Sequence, residues 1–170
     1  MRNSPPHGRP KEGLLLRGAK GAHTSARRRA REFVLQGLYQ RQLSGNARDA
    51  IRAQVAEAAG FPKADEAYFD ALWSGVTDDY DALVALIAPD LDRRAAQLSP
   101  IERAILVIGA WEFQHRPEIP CRVVINEAIE LAKSYGGTDG HKLVNGVLDK
   151  LAATLRATEI EALRRVAGTA

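Results

Sequence analysis

Apolar residues recur at spacings of three and four along nearly the whole chain beyond Ser25, which predicts a succession of amphipathic helices. The first is expected from about Ser25 to Leu43. Ala30, Phe33, Val34, Gly37 and Leu38 share one face, Thr24 or Ser25 supplies a cap, and Ser44, Gly45 and Asn46 close the element. A second helix is expected over about 47–59, ended by Gly60, Phe61 and Pro62. The longest stripe, Phe69, Leu72, Trp73, Val76, Tyr80, Leu83, Val84 and Ile87, predicts a single helix over about 64–87 that Pro89 stops. Ser99, Pro100 and Glu102 form the clearest start signal: a hydroxyl cap, a proline suited to the first helical position, and a carboxylate that returns to the cap amide. That helix carries Ile105, Leu106, Ile108 and Trp111 to about His115, before Pro117 and Pro120 force an extended link. Two more follow: Val123 to Tyr135, closed by Gly136 and Gly137, and a last helix with Leu143, Val144, Val147, Leu148, Leu151 and Leu155, for which Asp139 is placed as the cap. No segment alternates with period two for long enough to be a strand, and no spacing repeats, so the fold class is all-α.

A length of 170 residues suits one buried core. The longest apolar runs, such as Leu14, Leu15 and Leu16, fall far short of the roughly 20 residues of a membrane span, and short of a signal peptide's apolar centre. The single cysteine, Cys121, excludes an internal disulfide and a multi-cysteine zinc cluster, which suits the reducing cytoplasm. Charge changes the picture more. Residues 1–31 hold nine Lys/Arg and only Glu12 as an acid, whereas the other 139 residues hold 15 bases and 20 acids. A strongly basic amino end on an acidic body is the pattern of a polyanion binder. Residues 1–24, broken by Pro5, Pro6, Gly8, Pro10, Gly13, Gly18 and Gly21, are expected to be a disordered basic extension; 25–157 form the helical domain, and 158–170 a tail with helical potential.

Enzymatic chemistry finds little support. Cys121 has no histidine near it in sequence, and His7, His23, His115 and His141 lack the i, i+4 spacing that would place two metal ligands on one helical face. Glu127 and Glu130 share a helical face, but Lys133 follows Glu130 at the same spacing and makes a salt-bridged surface the better reading. The stretch Gly136 to Lys142 imitates a phosphate loop, yet His141 occupies the second glycine position, Leu143 replaces the magnesium-binding hydroxyl, and no strand precedes it. No catalytic residue, metal or cofactor is therefore assigned. What survives is a set of backbone amides at the start of the last helix, where His141 and Lys142 can meet an RNA phosphate; an ordinary capped turn between two helices is the other reading.

Arg27, Arg28, Arg29 and Arg31 crowd the first turn of the first helix, where the positive end of the helix dipole disfavours cations. An external anion explains them better than folding does. On a helical wheel Arg28, Arg31, Leu35 and Tyr39 form a stripe apart from the centre of the inward face. The stripe is expected to face outward, its arginines toward phosphates and Leu35 and Tyr39 toward a protein partner, with completion of the core as the other reading of Tyr39.

The segments Ala26 to Glu32, Gln36 to Tyr39, Ile125 to Gly136 and His141 to Lys150 resemble the NusB family. The resemblance spans about Ser25 to Leu155. It implies two packed helical bundles of about six to seven helices, a heterodimer with the ribosomal protein NusE, joint binding of boxA RNA, and an antitermination complex with RNA polymerase on ribosomal RNA operons. By motif match, RNA contact falls to Arg27, Arg28, Arg29 and Arg31, and to His141 and Lys142 near Asp139; contact with NusE falls to Tyr39 and Glu102. The last assignment competes with the capping role of Glu102. Leu143 departs from the family, standing where many relatives carry an aromatic residue. An alternative is the RNA-binding module related to rRNA cytosine methyltransferases, but the chain has neither a glycine-rich strand-turn-helix cofactor site nor a catalytic cysteine pair. A helical DNA-binding regulator would share the basic helix.

Overall fold

The computed structural model describes residues 26–91 and 98–169, and among these it holds eight helices and no strand. They are α1 (Ala26–Ser44), α2 (Arg48–Ala56), α3 (Glu66–Asp78), α4 (Tyr80–Ile87), α5 (Pro100–His115), α6 (Cys121–Tyr135), α7 (Gly140–Leu155) and α8 (Ala157–Gly168). The expected amino-terminal disorder and the Thr24 or Ser25 cap lie outside the described residues.

The helices form two bundles that meet on α5. In the first, α1, α2 and α3 close around aromatic rings: Phe61 stands edge-on to Phe33 at 5.4 Å and to Phe69 at 5.2 Å, and Phe69 stacks on Trp73 at 6.4 Å. Such ring pairs add about 0.5–1.5 kcal/mol each to the burial of their area. In the second, α4, α6 and α7 surround α5, which is buried from Ala104 through Phe113, as expected of a helix that is apolar on nearly every side. Two glycines set how closely the elements approach. A Cβ on Gly37 would lie 2.7 Å from the Trp73 ring, and one on Gly75 would lie 2.1 Å from Trp111 Nε1, so both indoles pack directly on backbone.

The single helix expected over 64–87 is two helices. The Thr77 hydroxyl donates to the Trp73 carbonyl at 2.7 Å, in competition with the helical ladder, and Asp79 leaves helical geometry at φ −108° and ψ 20°. Arg48 of α2 holds the break from outside by bonding Thr77 Oγ1 at 3.3 Å and pairing with Asp78. The apolar stripe runs through the break undisturbed, so periodicity does not reveal it. This division and α8 account for eight helices where six or seven were expected.

Register follows from a few long-range contacts. Arg31 meets Glu112 near one end of α5, while Gln42 Nε2 donates to the Pro100 carbonyl at 3.3 Å at the other, so α1 runs antiparallel to α5. Beyond the proline link α6 turns back along α5, and α7 turns again, which brings Gly140 to the start of α5; a Cβ on Gly140 would lie 2.6 Å from Glu102 Oε1. A buried arginine completes the opposite end. Arg156 donates to the carbonyls of Glu112, Phe113, Arg116 and Ile119, gathering the acceptors at the end of α5 and in the link beyond it. Glu159 on α8 pairs with Arg156 at 2.6 Å and accepts the Cys121 amide at 2.8 Å at the start of α6.

Candidate nucleic-acid interface

The four arginines stand in the first two turns of α1, whose Ala26 carbonyl accepts the Asp65 amide at 2.9 Å and so fixes this end against α3. Their fates differ. Arg27 is exposed and lays its guanidinium carbon 4.4 Å from the centre of the Tyr68 ring. Arg28 reaches α6 and donates from Nε and Nη2 to the two oxygens of Glu127 at 2.7 and 2.8 Å, with 30% of its side chain still exposed. Arg29 is half-buried beside the turn at Gly60.

Arg31 points inward. Its side chain is 4% exposed and donates to Glu112 at 3.0 and 2.9 Å, while the Tyr68 hydroxyl donates to the same carboxylate. Burial, together with the Glu112 charge, pushes the Tyr68 phenol well above its ordinary range, so it remains a donor. The expectation that Arg28, Arg31, Leu35 and Tyr39 form an outward stripe is corrected: Leu35 is fully buried, Tyr39 half-buried, and Arg31 is closed off from any strand. A wheel drawn around one inward face assumes a peripheral helix, but α1 is covered by α2 and α3 on one side and by α5 on another. Arg31 is thus a structural cation, and Glu112 and Glu127 supply from neighbouring helices the negative charge that the first turn of α1 lacks.

The second expected group lies at the start of α7. Lys142 is 72% exposed and pairs with Asp139 at 3.3 Å; His141 is half-buried. Asp139 precedes the helix but makes no side-chain cap. The Gly140 and Lys142 amides already donate to the Gly137 and Asp139 carbonyls at 3.1 Å each, so the expected cradle of open amides is smaller than the sequence suggests. Glu102 completes the capping box with Ser99: its amide donates to Ser99 Oγ at 3.1 Å and its carboxylate accepts the Ser99 amide at 3.3 Å. Tyr39, Glu102, His141 and Lys142 therefore gather toward one end of α5 and Arg27, Arg28 and Arg29 toward the other, separated by up to the length of a 16-residue helix, about 24 Å.

Glu112, Tyr68 and Glu127 organise the arginines, and sequence reasoning passed over all three in that role. One signal was available: Glu112 sits between Trp111 and Phe113 in a buried run, and a carboxylate there demands a cation. Among the described residues no three His, Cys, Asp or Glu side chains come together as metal ligands, and no helix is long and apolar enough to cross a membrane.

Comparison with known proteins agrees with this architecture. The NusB family pattern matches residues 28–153. The transcription antitermination protein NusB of Delftia acidovorans is 52% identical, over 99% of this chain and 82% of its own length. That of Paraburkholderia phytofirmans is 57% identical over 83% of this chain and 98% of its own. A solved structure of T. maritima NusB superposes with a TM-score of 0.66 at 28% identity, covering 74% of this chain and 89% of that one.

Proposed function

This chain belongs to the NusB family of transcription antitermination proteins, which are binding factors rather than enzymes, and on that premise we propose that it holds boxA-type single-stranded RNA jointly with NusE in a cytoplasmic antitermination complex with RNA polymerase. The observation that carries this reading is the state of Arg27 and Arg29. Among the described residues neither makes an ion pair, although both stand at the positive end of a helix where a cation costs stability. An RNA phosphate compensates that cost. Arg28, bound to Glu127 but 30% exposed, contributes at the edge of the same patch. Arg31 supports it from below.

At the other end of α5, Lys142 and His141 supply a second phosphate contact, and Tyr39 and Glu102 face NusE. NusE contributes by ordering the strand between the two patches. No bond is made or broken, and selectivity rests on RNA bases presented beside a phosphate-anchored backbone.

Titration of a boxA-type RNA across a salt series tests the reading. Replacing Arg27 and Arg29 together by Ala should shallow the slope of log affinity against log salt by about 0.7 for each phosphate that is no longer neutralised. NusE should tighten the wild-type complex. An unchanged slope in the double variant would place the RNA elsewhere.

A further inference from the structure

Tyr68 is almost wholly covered, and three cations lie close to its ring. The guanidinium carbons of Arg27, Arg116 and Arg31 lie 4.4, 5.2 and 5.5 Å from its ring centre. Arg31 is committed to Glu112, which it neutralises. Arg27 and Arg116 come from different places, the first turn of α1 and the residue closing α5, yet they converge on one ring. A guanidinium held close to an aromatic ring by cation–π attraction keeps N–H groups able to bond another acceptor.

Arg116 is positioned rather than free to sweep. Its amide donates to the Glu112 carbonyl at 3.0 Å, its own carbonyl accepts from Arg156 at 2.8 Å and from the Ile119 amide at 3.0 Å, and its guanidinium also lies 5.7 Å from the Trp111 ring. Its side chain remains 31% exposed. Among the described residues its ion-pair partner is Glu118, at 3.6 Å and itself more than half exposed; a pair of this kind is weak and yields to a better anion. The carboxylates that pair with these arginines are Glu112 and Glu127, both engaged by Arg31 and the second also by Arg28, and Glu118, whose pair with Arg116 is exposed; Arg27 makes no ion pair among the described residues.

We propose that Arg116 and Arg27 clamp one backbone phosphate of the bound single-stranded RNA over Tyr68, carrying the RNA track from the start of α1 onto the end of α5. Tyr68 is the positioning residue for both arginines. The inference rests on the RNA-binding reading above, and it adds a contact on a second element, far in sequence from the arginine cluster.

The test uses the full chain and a boxA-type single-stranded RNA, with affinity measured across a salt series for Arg27→Ala, Arg116→Ala, the double variant and Arg116→Lys. Each alanine variant should lower the affinity several-fold and shallow the slope by up to about 0.7, and the double variant should flatten the slope no further than one shared phosphate allows. Arg116→Lys should recover most of the slope because the charge is retained, a result that a purely structural role for Arg116 would not produce. Additive slope changes in the double variant would assign separate phosphates and overturn the clamp. Wild-type affinity and slope in Arg116→Ala, with RNA binding otherwise intact, would overturn it while sparing the reading beneath it. A wild-type chain that fails to bind the RNA would overturn both.

Discussion

Arg27 and Arg31 are the same residue type one helical turn apart, yet one is exposed and the other lies in the core. The difference is what each meets: Arg27 lies over Tyr68, whereas Arg31 enters the space between α1 and α5 and binds Glu112 through a forked pair. Removing one partner of a buried ion pair leaves the other unmatched, so Arg31→Ala should cost about 3–5 kcal/mol in urea denaturation. Arg27→Ala should change stability within about 0.5 kcal/mol while weakening RNA binding. Equal stability losses in the two variants would contradict this division. Glu32 offers a test by pH. Burial raises its carboxyl above the ordinary value, against the pull of Arg29 and Arg28. A folded value above the unfolded one stabilises below the unfolded pKa, and that contribution is lost as pH rises through the folded value. Glu32→Gln should therefore raise the melting temperature at neutral pH and bring no gain below about pH 4. The arginine cluster was legible in the sequence; which arginine folds inward was not, because Glu112 lies 81 residues away from Arg31.

At the level of elements, the helix boundaries that local chemistry governs were legible. The Ser99, Pro100 and Glu102 signal opens α5 as read, through a capping box complete in both directions. The break between α3 and α4 was not legible, since Trp73, Val76, Tyr80 and Leu83 keep helical spacing across it. Helix α8 depends on a contact outside its own sequence. Burial works against the Glu159 charge, but the Cys121 amide and the Arg156 guanidinium outweigh it and hold the carboxyl below its ordinary value. Here the sign is opposite to that of Glu32: the contribution is present above the unfolded pKa and is lost as pH falls through the lowered folded value. Protection of the α8 amides, relative to the free-peptide exchange rate at each pH, should fall on acidification below about pH 4 in the wild type, whereas Glu159→Gln should show lowered protection already at neutral pH and little further change. High, pH-independent protection in both would mean that Ile160 and its apolar neighbours hold α8 without help. Where α3 packs on α5, Gly75→Ala should cost about 1–3 kcal/mol, read from the denaturation midpoint, because a methyl group there meets the Trp111 indole.

For the whole molecule, the two groups of expected RNA contacts sit apart: His141 and Lys142 follow Gly140 at the start of α5, whereas Arg27 lies at Tyr68 with Arg116, the residue that closes α5. A strand that uses both must run along the protein, so shortening the RNA from either side should reduce affinity in steps, each with a smaller salt slope; a short fragment binding as tightly as the full element would mean that only one end is used. The all-α class, the helix that starts at Pro100, the basic amino end and the family segments could all be read from the chain, because each depends on residues within a turn or two of one another or on charge that needs no fold to be counted. The burial of Arg31, the pairing of Arg28 with Glu127, the division at Asp79 and the approach of both Arg27 and Arg116 to the Tyr68 ring were decided by tertiary structure alone. Each is a choice between solvent and a partner dozens of residues away, and only the packing of one helix on another settles which of the two a charged group meets.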